Sequence, residues 1–315
     1  AIALGKDLAH NNHVSDRITF LQAPVQAVRL PEPVDILLSD LRGPLPLFGD
    51  HIPTLIDARS RLLAPGGVLI PQCDRLYGSL VSSPQLYADC NEPWRSQPQG
   101  VDLSSVRSYG VNTWRKCSFK PEQCLVPPQL WAVLDYGAIA SPQVSGVLNW
   151  QLEAAGQAHG LGLWFEAELA PGIGFSNAPG QPELVYGKVF FPWQEPVALE
   201  PGDQVQVALG AHLVQGEYIW QWRSQVQRGE ARVAQFQQSN FFARPRSPQQ
   251  LAQQSEHYRP PWTARSQAAR WVLEAIAAGQ SLGEMATGLT SQFPQQFPSR
   301  QGALQYAATL AAHYA

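Results

Sequence analysis

The sequence predicts an α/β segment of a doubly wound fold, then a long antiparallel β region, then a small helical module. Three observations carry that order. An apolar run at Val34–Leu38 is followed by an acidic loop, an amphipathic stretch and a second apolar run at residues 68–70, the strand, helix, strand grammar of a parallel sheet. Over residues 84–242 the chain turns to short β-like runs separated by Pro and Gly. Beyond residue 246, a Gln- and Pro-rich stretch at 248–262 gives way to helical periodicity.

Taken in order, VDILL at 34–38 reads as a strand buried on both faces, and it stops at Ser39-Asp40. Ligands of open α/β sheets bind just beyond the carboxyl ends of the strands, so Asp40 stands where chemistry would be done. The following helix sets Ile52, Leu55, Ile56, Leu62 and Leu63 on one face, with Asp57, Arg59 and Arg61 between them. Pro65-Gly66-Gly67 is expected to end it. Residues 74–83 continue as an exit strand. Then come LWAVLDYG, GVLNWQLEA, GLGLWFEAEL, YGKVFFPW, QVQVALGAHL and YIWQWRSQV. Period-2 alternation in GLWFEAEL and QVQVALG marks half-buried antiparallel strands, and runs this frequent imply a sandwich or a barrel. In the tail, Trp271, Leu273, Ile276, Leu282, Met285, Leu289 and Phe293 recur at helical spacing, and residues 303–314 add a third helix.

Composition bounds the function. With 315 residues, 44% of them hydrophobic, the chain is long enough for two or three packed domains. A formal charge of -3 supplies no basic footprint for phosphates, so nucleic-acid partners are disfavoured. No apolar run reaches the roughly 18 residues of a membrane span, and the first residues lack a signal-peptide pattern, so no membrane partner and a cytoplasmic location are expected. Cys73, Cys90, Cys117 and Cys124 form no C-x-x-C pair and read as reduced thiols. His10 and His13 have no ligand set nearby to complete a metal site.

Residues 34–71, VDILLSDLRGPLPLFGDHIPTLIDARSRLLAPGGVLIP, resemble the protein arginine methyltransferase (PRMT) family. In that family a strand, an S-E-W-M-G loop, a second glutamate and an A-R-x-x-x-L-x-P-x-G-x-x-x-P segment run in this order. The likeness extends upstream to ITFLQAPVQAVRLP at 18–31, similar to G-x-V-E-E-V-x-L-P. Downstream it reaches residues 172–175, 189–193 and 199–205. With gaps it covers about three quarters of the chain. It implies α/β plus β: a partial Rossmann-like S-adenosylmethionine methyltransferase domain, of which residues 1–72 are the C-terminal part, then an antiparallel β-barrel substrate domain over 73–245. Residues 246–315 would be a linker and small helical module. Within the barrel domain, about 84–117 falls where the family inserts a dimerisation arm. Trp94 and GVDLS at 100–104 resemble arm sequence, which implies a homodimer. The family's glycine-rich loop and ribose-gripping acid would lie upstream of Ala1, so the chain reads as N-terminally truncated.

The resemblance also assigns roles. In the family two glutamates hold the substrate guanidinium while S-adenosyl-L-methionine delivers a methyl group. A guanidinium stays protonated and presents a planar fork of donors, so paired carboxylates are its natural clamp. Asp40 stands at the first glutamate position, and Gly49 at the second, with Asp50 beside it. Asp40 and Asp50 are therefore the candidate catalytic pair; for each, the alternative is a plain helix cap. Glu183-Leu184-Val185 stands where the family has Thr-His-Trp, so that histidine is absent. On the cofactor side, Gln26 replaces the acid that reads the adenine amino group, and its carbonyl can accept the same bond. Ser39, His51 and Thr54 would line the rest, with His51 and Thr54 at the sulfonium end.

Two functions follow. One is an S-adenosylmethionine-dependent methyltransferase acting on a protein or peptide side chain, arginine favoured. The other is a catalytically decayed methyltransferase-like protein that binds a protein or peptide. In the tail, GQSLGEMATGLTSQF resembles the small winged-helix modules related to PqqD; it also describes an ordinary turn followed by a capped helix.

Overall fold

The structure, a computed structural model, describes residues 2–95, 100–103, 106–243, 252–253 and 255–314. The chain divides into two units, Ala1–Pro245 and Arg246–Ala315.

The first unit opens with α1 (Ile2–Asn11) and then builds β1 (Val34–Leu38), α2 (His51–Arg61) and β2 (Leu63–Ile70). β1 and β2 pair in parallel with α2 as the crossover, the repeating element of a Rossmann-like fold. Ile52, Leu55 and Ala58 bury the apolar face of α2. Two expectations are corrected here. The helix ends before Pro65: the Leu62 N–H donates to the Ala58 carbonyl, and Pro65-Gly66-Gly67 becomes an irregularity inside β2, where the register jumps from Val34↔Leu63 to Ile36↔Val68. Nor is β1 buried on both faces. Ile36 is 58% and Leu38 73% exposed, because among the described residues only the face carrying Leu37 packs against the core.

The β-rich part follows directly. β3 (Cys73–Val81), α3 (Pro84–Arg95), α4 (Arg107–Val111), β4 (Arg115–Cys117), β5 (Gln129–Asp135) and β6 (Val144–Gln151) lead to the long β7 (Gly156–Ala170). β8 (Ile173–Ser176), β9 (Lys188–Leu199), β10 (Gln204–Val214), β11 (Glu217–Arg228) and β12 (Ala231–Ser239) complete it. One sheet runs β4-β9-β7-β3-β5 with β8 against β7, and the other runs β12-β11-β10-β6.

The expected β-barrel is overturned: among the described residues no sheet closes on itself. The smaller sheet ends at β12 and β6, the larger at β4 and β5, and no ladder joins them. Alternating strands need only one covered face, and two open sheets packed together satisfy that as well as closure does. The shared core holds Trp131, Leu148, Phe165, Phe191, Trp193, Trp220 and Trp222.

The described part of the arm-like insertion packs back on its own chain. The Gln238 amide donates to the carbonyls of Val111 (2.6 Å) and Pro192 (2.9 Å), and the Ser239 N–H donates to Asn112 Oδ1 (3.0 Å). Residues 96–99 and 104–105, including Ser104 of the arm-like sequence, lie outside the described residues.

The second unit holds α5 (Ala264–Ala277), α6 (Leu282–Gln292) and α7 (Arg300–Tyr314) around Ala268, Val272, Met285, Leu289, Ala303 and Ala307. Ser281 and Glu284 form a reciprocal capping box: Ser281 Oγ accepts from the Glu284 N–H, and Glu284 Oε2 accepts from the Ser281 N–H at 2.7 Å. No strand occurs among the described residues of this unit, so the likeness to PqqD-related winged-helix modules gains no support. Residues 244–251 and 254, from the end of the expected barrel domain into the expected linker, lie outside the described residues. Among the described residues no helix is long and apolar enough to cross a membrane.

Candidate functional site

The Ser39 N–H donates to the Ile70 carbonyl at 2.9 Å, which extends the β1–β2 pairing by one residue before the chain leaves the sheet at Asp40. Leu45, Pro46 and Leu47 are buried and pin the loop that follows. Its Arg42 side chain turns inward and is only 3% exposed. Arg42 Nε donates to Asp40 Oδ1 at 3.1 Å, and Arg42 Nη1 donates to Asp74 Oδ1, also at 3.1 Å. Asp74 reaches this point from β3.

Three rings enclose the same guanidinium. Its Cζ lies 5.6 Å from the centre of Phe165, 5.1 Å from Phe175 and 5.7 Å from Tyr186, all within cation–π range. Phe175 and Tyr186 stack with 7° between their planes, and Phe165 meets both edge-on. The Tyr186 hydroxyl donates to Asp40 Oδ2 at 2.6 Å. Tyr186 directly follows Glu183-Leu184-Val185, so the segment that lacks the family's histidine supplies this phenol instead.

Behind Asp74 lies a buried relay. The Tyr136 hydroxyl donates to Asp74 Oδ2 at 2.6 Å, and His51 Nε2 stands 3.1 Å from the same hydroxyl. Since the Tyr136 proton is used on Asp74, His51 must donate from Nε2, which leaves Nδ1 as an acceptor; that atom is buried without a partner among the described residues. Arg59 fixes the geometry from α2 by donating to the carbonyls of Tyr136 and Ile139 (2.8 Å for the latter).

The charges follow from this packing. Burial lifts the Asp74 carboxyl to about 6 against the pull of Arg42 and Tyr136. Burial, helped by the Arg42 charge, lowers His51 to about 4, so the imidazole is neutral at pH 7. For Asp40, 52% exposed, burial also opposes ionisation, but the Tyr186 and Arg42 hydrogen bonds outweigh it and hold the carboxyl below its ordinary value. Burial works against the Arg42 charge as well, and Asp74 and Asp40 more than offset it.

The structure therefore places Asp40 at the strand end and gathers it with Asp74 rather than with Asp50. Asp50 is exposed at the N-cap position of α2, where its side chain makes no capping bond; its carboxylate lies toward Gly216 and Tyr218. Gly49 has φ +47°, a conformation suited to glycine, and nothing lies within 4 Å of where a Cβ would stand. Asp74 was not legible as a site residue, because a charge within a strand reads as an exposed position. Arg42 was legible only as a surface cation.

The residues assigned to S-adenosylmethionine fall into two groups. Gln26 is exposed and Ser39 half-buried at the end of β1, both open to a polar ligand, whereas Thr54 is buried and its Oγ1 accepts from the Gln26 amide at 3.4 Å. His51 is buried, with Nε2 committed to Tyr136, and it faces the carboxylate side.

No family model matches the chain. Over 227 residues it is 28% identical to human protein arginine N-methyltransferase 2, covering 68% of this chain and 52% of that protein. Over 218 residues it is 27% identical to the arginine N(omega)-methyltransferase of Streptomyces achromogenes subsp. streptozoticus, covering 66% and 58%. The chain is a remote relative of the protein arginine methyltransferases. It spans about half the length of these curated relatives. Among solved structures, the Trypanosoma brucei PRMT1 enzyme-prozyme heterotetramer with AdoHcy aligns with a TM-score of 0.67 at 16% identity, over 76% of this chain and 77% of that one. Arabidopsis thaliana protein arginine methyltransferase 10 aligns at 0.62 and 19%, over 74% and 78%. Those two likenesses are of fold. The relationship supports a Rossmann-like domain of the S-adenosylmethionine-dependent methyltransferase superfamily.

Proposed function

We propose that this chain carries the acceptor side of an S-adenosylmethionine-dependent methyltransferase acting on a cationic nitrogen of a protein or peptide, arginine first. The Tyr186–Asp40 hydrogen bond carries this reading. It holds an ionised, half-exposed carboxylate at the end of β1, where ligands of α/β sheets bind, and braces it from the β-rich part. Asp40 would orient an acceptor N–H by a charge-assisted hydrogen bond, with Tyr186 fixing the carboxylate, while the proton displaced by the incoming methyl group leaves to solvent. S-adenosylmethionine would supply the methyl group, with Gln26 and Ser39 as the residues to hold it and the buried Thr54 positioning the Gln26 amide. The partners in this reading are a protein or peptide substrate and a second copy of the chain.

The test is Asp40→Asn in the protein that carries this chain, read as methyl incorporation into arginine-rich peptides by mass spectrometry. A loss of roughly a hundredfold, in a chain that still folds but melts somewhat lower because the carboxylate also holds Arg42 and Tyr186, is expected, the scale of the activity loss set by misplacing a reacting group. Equal incorporation would remove Asp40 from this role.

The second reading, a catalytically decayed module that binds a protein or peptide, is favoured by one observation. Arg42 fills the space between the carboxylates, and no carboxylate stands at Gly49. Partner binding without any heat protection by S-adenosylmethionine would support it over the first.

A further inference from the structure

We propose that Arg42 is an internal occupant of a cation-recognition site, and that withdrawal of its side chain opens this site to an external guanidinium. This concerns binding alone and holds whether or not methyl transfer takes place.

Three observations carry it. First, the cage is built from separate elements that converge on one cation: Asp40 from the end of β1, Asp74 from β3, Phe165 from β7, Phe175 from β8 and Tyr186 from the segment before β9. Carboxylates in the plane of a guanidinium and rings beside it match both parts of its chemistry, the fork of donors and the flat, weakly hydrated face. Second, the walls are held by contacts that do not involve Arg42. Tyr186 donates to Asp40, Tyr136 donates to Asp74, Phe175 stacks on Tyr186, and Phe165 meets both rings edge-on. A cavity shaped in this way keeps its donors' partners in place when the occupant leaves. Third, the occupant belongs to the loop and the walls to strands and their ends. Asp40 is half-exposed while Asp74 is fully buried, so the cage has an open side at Asp40 and a closed one at Asp74.

The ligand class is a guanidinium on a flexible stem, as on an arginine side chain of a peptide. Ethylguanidinium is the probe. The Arg42→Ala chain should gain several degrees of thermal stability with ethylguanidinium in the low millimolar range and none with sodium chloride at the same ionic strength. The wild-type chain should show no such gain, its site being filled. Arg42→Met, which removes the charge but keeps the volume, should bind no probe. Adding Asp74→Asn to Arg42→Ala should weaken binding by about tenfold or more, the scale of a hydrogen bond to a charged group. A folded Arg42→Ala chain that responds no differently from wild type, or an Arg42→Met chain that binds as well as Arg42→Ala, would overturn the proposal. If Arg42→Ala does not fold alone, recovery of its circular dichroism on refolding with ethylguanidinium but not with sodium chloride supports the site, and failure to recover overturns it.

Discussion

Tyr186 and Asp40 are 146 positions apart and joined by a 2.6 Å hydrogen bond that ties the segment before β9 to the carboxyl end of β1. Tyr186→Phe keeps the stack on Phe175 and deletes only that bond. Hydrogen bonds to charged groups contribute about 1.5–3 kcal/mol, and the half-exposure of Asp40 reduces this to about 1 kcal/mol. The urea midpoint of the variant should fall accordingly, with an unchanged m-value. An unaltered midpoint would mean that the bond contributes nothing.

Asp74 is more consequential because it is buried and accepts from both Arg42 and Tyr136. Asp74→Ala leaves a buried guanidinium with its half-exposed partner alone. Breaking one side of a buried ion pair costs about 3–5 kcal/mol, and the remaining Asp40 bond argues for the low end. Asp74→Asn keeps an acceptor for Tyr136 and should be about half as damaging. Equal losses in the two variants would show that the Tyr136 bond has no share.

The relay predicts a pH signature with two opposing parts. His51 falls from its ordinary 6.5 to about 4 in the folded chain, so below 6.5 the unfolded chain binds more protons and stability drops as pH falls toward 4. Asp74 rises from 3.8 to about 6, so between those values the folded chain binds more protons and stability grows as pH falls. The two largely cancel between about 4 and 6 in the wild type. His51→Gln keeps a donor for Tyr136 and removes the first part. Relative to wild type, the variant should therefore gain stability on acidification from pH 6.5 to 4, measured by chemical denaturation across that range. Parallel profiles would contradict the assignment of His51.

In the second unit, Gly288 sits in α6 under Trp271. A Cβ added there would lie 2.1 Å from a ring carbon of Trp271 and 2.4 Å from another. Gly to Ala in a helix interior ordinarily stabilises by about 1 kcal/mol. Here overpacking, about 1–3 kcal/mol, should exceed it, so Gly288→Ala should lower the stability of this unit as read by amide hydrogen exchange in α5 and α6. A rise would mean that the ring moves aside freely.

Local pattern made much of this legible. The apolar face of α2 at Ile52 and Leu55, the strands from LWAVLDYG to YIWQWRSQV, and the Ser281–Glu284 cap all follow from spacing within a few residues. Closure of the β region was not legible, because the alternation in QVQVALG has the same form in a sandwich and a barrel. The cage was not legible either. Residues 42, 74, 165, 175 and 186 meet only through strand register and sheet packing, which no local spacing records. Asp50 drew attention through its distance from Asp40 along the loop, yet the carboxylate that meets Arg42 beside Asp40 comes from β3.

The most direct test of the account is the arginine Nε–H spectrum of the ¹⁵N-labelled wild-type chain, with the Arg42 signal assigned by its loss in Arg42→Lys. This Nε–H, held by Asp40 and shielded by three rings, should exchange with water far more slowly than those of exposed arginines and shift on Asp74→Asn. An Arg42 signal that exchanges as fast as the exposed ones and ignores Asp74→Asn would contradict it.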